Sequence, residues 1–433
     1  MYNTVVNFRK GCVSMAERAY LCIDLKSFFA SVECVDRGLD PFKANLVVAD
    51  PSRGSGAICL AISPAMKALG IHNRCRVFEI PKNVEYITAL PRMKRYMEIS
   101  ADIYSVYLQY ISPEDIHVYS IDECFIDVTQ YLKMYRKTPK EMAVMLIDAV
   151  FEKTGICAAA GIGTNLFLAK VALDITAKHT DDHIGCLDED EFRRTVQLHQ
   201  PITDIWNVGR GTAKRLEKYG VFDLKGVTEL PKKLLYKEFG VNAKHLIEHA
   251  NGIEPCTIKD IQSFKPKSTS LSHSQILFED YNSNDALLVL KEMVDKQVLE
   301  LVEKRLVTDS ISLYIGYSKD VAKSTGGTRK IGEFTNSYKK LMGYFEELYL
   351  ETTLKNFPIR KIGIGLNNLQ DDSMASITFF TDYEAEEKEK HLQQAIISIK
   401  NKYGKNAVLK GISYTEKGTA RTRNKLIGGH NGE

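Results

Sequence analysis

The sequence predicts an α+β protein of several domains, and three observations predict it. Residues 19–185 alternate apolar, strand-like runs with amphipathic, helix-like ones, the pattern of a layered sheet covered by helices. Residues 186–252 lose that alternation and read as mostly helical. Beyond residue 268 the order β-α-β-β-α-β returns, a small split sheet with two helices on one face. A chain of 433 residues has room for about two to four such domains.

The elements follow in order. Residues 1–18 mix polar and charged side chains, lack the apolar core of a signal peptide, and read as a short leader. Tyr20–Asp24 is apolar and β-prone. Ser27 is a plausible cap for a helix through Glu33. Leu46–Ala49 and Ala57–Ile62 read as strands around the turn Arg53-Gly54-Ser55-Gly56. Pro64 can open a short helix that Gly70 stops. A long amphipathic helix is expected from Met93 to Tyr110. Val118–Val128 reads as two strands around a tight turn, Pro139–Lys153 as a helix and Cys157–Ile162 as a strand. Asn165–Thr176 is helical again. In the helical region, Val208-Gly209-Arg210-Gly211 fits the turn of a helix-hairpin-helix, whose backbone N–H groups receive a DNA phosphate; an ordinary corner between helices fits too. Asn251–Ser268 reads as an exposed linker. Strands are then expected at Leu271–Leu277, Ser310–Tyr317, Thr328–Phe334 and Ile359–Leu366. Helices are expected from Ser283, its cap, to Arg305, and from Ser337 to Thr353. The glycines of the basic C-terminal tail suggest flexibility.

Composition excludes several classes. Hydrophobic residues make up 44% of the chain and charged residues 26%, as in a globular protein with real cores. A net charge of +3 does not announce a nucleic-acid binder, so any basic surface must be local. No run approaches the ~18 apolar residues of a membrane span, and no membrane partner is expected. The nine cysteines are scattered without a Cys-x-x-Cys pair, which argues against zinc or dithiol chemistry and for a reducing cytoplasm.

The chemistry concentrates in Ser120-Ile121-Asp122-Glu123-Cys124-Phe125-Ile126-Asp127. Adjacent acids between apolar residues are either the corner of a hairpin or half of a metal site, because charge in such surroundings must be paired. Asp24, at the end of another apolar run, can complete an all-oxygen site. Such a site suits Mg²⁺, which takes a few carboxylates plus substrate phosphates. Two such ions about 4 Å apart would serve phosphoryl transfer.

At this point the sequence resembles the Y-family, or translesion, DNA polymerases. The resemblance rests on Ile23–Glu33, on Tyr119–Glu123, on Ala160–Lys170 and on the hairpin at Val208–Gly211, four motifs in the family's order. Cys34, Leu69-Gly70 and the long tail are most similar to the UmuC-like branch of bacteria and their mobile elements. The resemblance implies a palm (residues 1–29 and 91–185), small fingers (30–90) and a helix-hairpin-helix thumb (186–252). A linker (253–268), a little finger (269–370) and a tail (371–433) would follow. It implies Asp24, Asp122 and Glu123 as catalytic acids, holding two Mg²⁺ with the Leu25 carbonyl. Phe29 falls at the position that excludes a ribose 2′-hydroxyl; as a residue pattern alone it reads better as core. Phe28, Lys170 and the N–H groups around Lys26–Phe29 would face the nucleotide. Many members place an aromatic and an Arg on the triphosphate. This chain has Ile62–Lys67 there, so Ser63 and Lys67 are expected in that role, with looser contacts than an Arg fork gives. The expected partners are primer–template DNA at Val208, Gly209, Arg210 and Gly211, a deoxynucleoside triphosphate, and SOS accessory proteins. The sliding clamp would be held by Ser376-Ile377-Thr378-Phe379-Phe380. The expected place is the cytoplasm, at the nucleoid. Two rival readings remain: a palm-like nucleotidyl cyclase, and a catalytically degenerate DNA-binding repair factor.

Overall fold

The computed structural model describes residues 18–266, 269–319, 321–376 and 382–432. The chain forms two compact units. One runs to Phe264 and takes in the last residues from Asn431; the other is Lys265–His430.

The first unit is built on a five-stranded sheet in the order Ile116–Val118, Glu123–Asp127, Tyr20–Leu25, Ala158–Gly163 and Ile184–Leu187. The strand Tyr20–Leu25 is central and antiparallel to both neighbours; the last pair is parallel. Strand alternation divides its residues between two cores. Leu21, Ile23 and Leu25 join Cys124, Ile126, Ala160 and Ile162 under the helices Met93–Tyr107 and Pro139–Thr154. Tyr20, Cys22 and Phe125 pack on the other face with Leu166, Ala169 and Ile258. The helix Pro139–Thr154 begins at a capping box between Thr138 and Glu141.

Three short strands, Ala61–Ile62, Leu46–Val48 and Ile87–Ala89, form a second, small sheet. The strand expected over Ala57–Ile62 shrinks to two residues because the segment changes partners. Ala57 and Cys59 pair with Val77 and Cys75, and only then does the chain join Val48. The helical region expected from 186 holds five α-helices between Glu189 and Ala250 around a core that includes Phe192, Leu216 and Leu224. Its expected start cuts through the strand Ile184–Leu187, which belongs to the main sheet. The segment expected as an exposed linker contains a helix, Ile258–Ser263, with a Thr257–Asp260 capping box. Ile258 is buried, and Gln262 donates to the Pro113 and Ile116 carbonyls, so this part is docked.

The second unit carries the expected β-α-β-β-α-β order. Its antiparallel sheet runs Thr325–Thr335, Leu306–Tyr317, Ile359–Asn367, Leu271–Tyr281, and the helices Ser283–Glu303 and Tyr338–Thr352 share one core with it. The first helix is capped by Asn282 rather than by Ser283; its side chain accepts from the Asn284 and Asp285 N–H groups. The tail departs from its expected flexibility. It holds a helix over Tyr383–Tyr403 and a turn of helix at Ala420–Arg423. Glu292, buried, accepts from the N–H groups of Thr419 and Ala420 at 2.8 and 3.0 Å, and buried Arg423 donates to Gln275 at 2.8 Å.

Candidate active site

Register brings the acids together. Asp24 pairs directly with Glu123 across the antiparallel strands, so both side chains leave the same face of the sheet. Asp122 precedes Glu123 in the turn, and its carbonyl accepts the Leu25 N–H at 2.9 Å. Three hydrogen bonds fix that turn. Ser100 donates to the Ile121 carbonyl at 2.6 Å, while the N–H groups of Tyr119 and Ser120 both reach the Glu123 carbonyl at 3.0 Å.

The Ala160–Gly163 run positions Lys170. A Cβ on Gly161 would stand 2.0 Å from the Ala169 carbonyl oxygen, and one on Gly163 would stand 2.2 Å from the Ala169 nitrogen. Only glycine lets the helix Leu166–Val171 lie this close to the strand. Asn165 caps that helix through Leu168 N–H at 2.9 Å. Lys170 then reaches Glu123 at 2.8 Å and Asp174 at 3.0 Å, with 7% of its surface exposed. Burial works to lower its pKa, but Asp174 and Glu123 outweigh that and hold the ammonium above its usual value.

The electrostatics favour a cation. Burial, then the charges of Asp122 and Glu123, push the Asp24 carboxyl up to about 7, with Lys170 opposing. A divalent ion relieves this mutual repulsion, so the donor set fits hard cations. The carboxylates do not form a ready cage, and among the described residues no group of three ligand-type side chains does. Glu123 is turned to Lys170 and to the Cys22 thiol at 3.0 Å, and Asp122 accepts from Ser120 at 2.7 Å. Asp127, at the far end of the strand, accepts from Thr129 N–H.

The expected nucleotide contacts divide. Phe29 is half-buried and stacks on Tyr96, centroids 4.5 Å apart with 17° between the rings. Tyr96 in turn donates to buried Glu33 at 2.8 Å. Phe28 is buried in the main core, which leaves only its backbone for a ligand. Ser63 is corrected. It is fully buried, donates to the Ala44 carbonyl at 2.7 Å and accepts from Leu46 and Met66 N–H, so it caps the Pro64–Ala68 helix and has nothing left for a phosphate. Lys67 is exposed and within electrostatic reach of Asp24; desolvation lowers its pKa, Asp24 opposing.

Two cations escaped the sequence reading. Desolvation brings Lys26 down to about 8, with Lys67 adding to the effect, and Lys178 also acts on Lys67. The signal was the place of Lys26, two residues past Asp24 in a strand-to-helix turn. In that turn Ser27 has φ 49° and gives the helix Phe28–Val35 no side-chain cap, contrary to the expected role. Among the described residues its buried Oγ finds no partner. An orphaned hydroxyl, uncapped N–H groups and three lysines suit a polyphosphate.

At Val208–Gly211 the expected turn leads into the helix Arg210–Glu217, and a short helical turn, Ile202–Asp204, stands where the first helix of the pair was expected. Asn207 is left-handed at φ 66°, Gly209 sits at the N-cap, and the helix Arg210–Glu217 starts without a side-chain cap. Of the clamp peptide, Ile377, Thr378, Phe379 and Phe380 lie outside the described residues. Ser376 exchanges hydrogen bonds with the Phe334 backbone at 2.8 and 2.9 Å.

Carboxylates converging from adjacent antiparallel strands, rimmed by lysines, are the arrangement of a palm-type nucleotidyl transferase. Comparison with known proteins narrows the class. Residues 23–174 match the impB/mucB/samB family, and residues 268–379 match the C-terminal domain of that family. A protein of Bacillus subtilis (strain 168) named for UV-damage repair, UvrX, is 31% identical over 95% of this chain and 97% of its own. A protein named DNA polymerase IV 2 from the same organism is 29% identical over 96% of this chain and 99% of its own. A solved Y-family DNA polymerase chimera of Dbh and Dpo4 shares the fold with TM-score 0.62 at 21% identity, covering 81% of this chain and 98% of that one. The chain belongs to the impB/mucB/samB family of Y-family DNA polymerases, and its fold is that family's palm, fingers, thumb and little finger.

Proposed function

We propose that the protein extends a DNA primer by template-directed synthesis across damaged positions, in the manner its relatives' names indicate. The observation that carries this reading is the register pairing of Asp24 with Glu123, with Asp122 in the adjoining turn. All three acids are intact, which disfavours a degenerate accessory factor. Membership in this family and the separate second unit with its own five-stranded sheet disfavour a nucleotidyl cyclase.

Asp24, Asp122, Glu123 and the Leu25 carbonyl would hold two Mg²⁺. Bound there, such ions favour ionisation of the primer 3′-hydroxyl and offset charge on the departing pyrophosphate. Asp122 would be a ligand shared by both ions, and Glu123 would face the attacking hydroxyl. Lys26, Lys67 and Lys170 receive the triphosphate as point charges. Lys170 must loosen its hold on Glu123 as substrate arrives, which links nucleotide entry to release of a ligand. The Phe29 ring, backed by Tyr96, excludes a ribose 2′-hydroxyl. The small three-stranded fingers close little protein over the new base pair, so shape selection is weak and distorted templates are tolerated.

Backbone N–H groups of Arg210 and Gly211 receive a DNA phosphate. Among the described residues a Cβ on Gly209 or Gly211 would meet nothing within 4 Å, so their surroundings leave room for the close approach of a ligand backbone. Primer extension with Mg²⁺ opposite undamaged and abasic template tests the reading. Product on both is expected, and no product on either template sinks it. The same assay with and without a sliding clamp tests the Ser376–Phe380 peptide as its ligand.

A further inference from the structure

The turn that carries Asp122 and the turn that opens the Arg210–Glu217 helix are joined through one pair of side chains. Trp206, the single tryptophan of the chain, donates its indole N–H to the Tyr119 hydroxyl at 3.1 Å. The rings meet edge to face, with centroids 6.0 Å apart and 76° between their planes. Tyr119 stands directly before Ser120, and both give their N–H groups to the Glu123 carbonyl. Trp206 is followed by left-handed Asn207 and, two residues later, by the Gly209 cap. Each member of the pair is thus anchored in the backbone of one turn.

The indole is held on its other sides. Phe125, two residues past Glu123, lies 6.1 Å from it, and His249 stacks on it at 5.9 Å. His249 is bonded to Glu254 at 2.8 Å and stacks on Phe167 at 4.2 Å, in the helix that bears Lys170. Tyr119 is 45% exposed, so core packing does not account for the contact. A hydrogen bond between two aromatic tips in such a place adds little to global stability, yet it fixes the spacing of two turns.

We propose that the Trp206–Tyr119 pair is a strut that transmits the seating of a nucleic-acid phosphate at the Gly209 turn to the carboxylates of the Ser120–Glu123 turn. It rests on the polymerase reading above. A phosphate received by the Arg210 and Gly211 N–H groups bears on the Asn207–Gly209 turn. Any tilt there moves the indole, the phenol and the two N–H groups that hold Glu123. Neither residue touches substrate; both are positioning residues.

The test uses the full chain. Tyr119→Phe keeps the ring and removes the hydroxyl, and Trp206→Phe keeps an aromatic and removes the N–H. Single-nucleotide incorporation is expected to lose about three- to tenfold in kcat in either variant, the worth of one hydrogen bond. DNA affinity and nucleotide KM change less than about twofold, and the double variant is no worse than the poorer single one. Thermal melts of the three variants separate this from misfolding. Trp206 emission gives a second readout that needs no catalysis: primer–template DNA shifts it in the native protein, and Tyr119→Phe abolishes that shift. Unchanged kcat in both variants, additive losses in the double, or the same shift with and without the phenol overturns the strut. Absence of any extension by the native protein would instead count against the polymerase reading, with the emission arm still judging the strut.

Discussion

Asp24 shows how one residue registers the state of the whole site. Its carboxyl titrates near 7 in the metal-free fold and near 4 in an unfolded chain, so between those values the native state binds the extra proton. Stability of the metal-free protein therefore falls as pH rises from about 4 to about 7, then levels off. Thermal melts in chelator at pH 5 and pH 8 should show the decline, and Asp24→Asn or added Mg²⁺ should flatten it. Asp122→Asn and Glu123→Gln should each cut primer extension by about a thousandfold, several kcal/mol of transition-state stabilisation, while DNA affinity measured by anisotropy stays level. Full activity in either variant would remove the acids from the mechanism. Phe29→Ala should admit ribonucleotides, read as a rise in their kcat/KM relative to deoxynucleotides. Unchanged sugar discrimination would move the gate elsewhere.

At the scale of elements, two pairs of glycines do opposite work. Gly161→Ala forces a Cβ into the Ala169 carbonyl and should cost more than about 3 kcal/mol of stability, seen as a lowered Tm. Gly209→Ala meets open space and should leave Tm unchanged while weakening DNA binding. The sequence distinguished these elements unevenly. The acids and the strands that bear them were legible, because a continuous apolar, β-prone run interrupted by isolated charge leaves a local signature in Tyr20–Asp24 and Glu123–Asp127. Lys170 was legible through its motif, and the burial of Gly161 and Gly163 against Ala169 explains why that motif exists. Ser63 was misread because a hydroxyl before a proline-led helix serves a cap or a ligand equally well until its neighbours are known. Lys178 was missed because its closeness to Lys67 arises from tertiary folding, not from spacing, whereas Lys26, two residues past Asp24, was legible in principle and passed over.

The whole molecule is two units, and the sequence was least legible at the chain's end. The helix Tyr383–Tyr403 is charged nearly all round, with Gln393 its one buried residue among those described, so no apolar stripe announced it. The docking of Thr419–Arg423 is polar as well, carried by Glu292, Gln275 and Arg423. Burying these charges is tolerable only while they remain hydrogen-bonded, so Arg423→Ala or Glu292→Ala should lower the melting temperature of the full chain more than substitution of any exposed tail lysine. Ser376 is tied through both its N–H and its hydroxyl to Phe334 on the edge strand Thr325–Thr335, and Asp382 caps the next helix through Ala385 N–H. Each is a stitch that passes a pull on the backbone straight into a regular element, one into the sheet and the other into a helix.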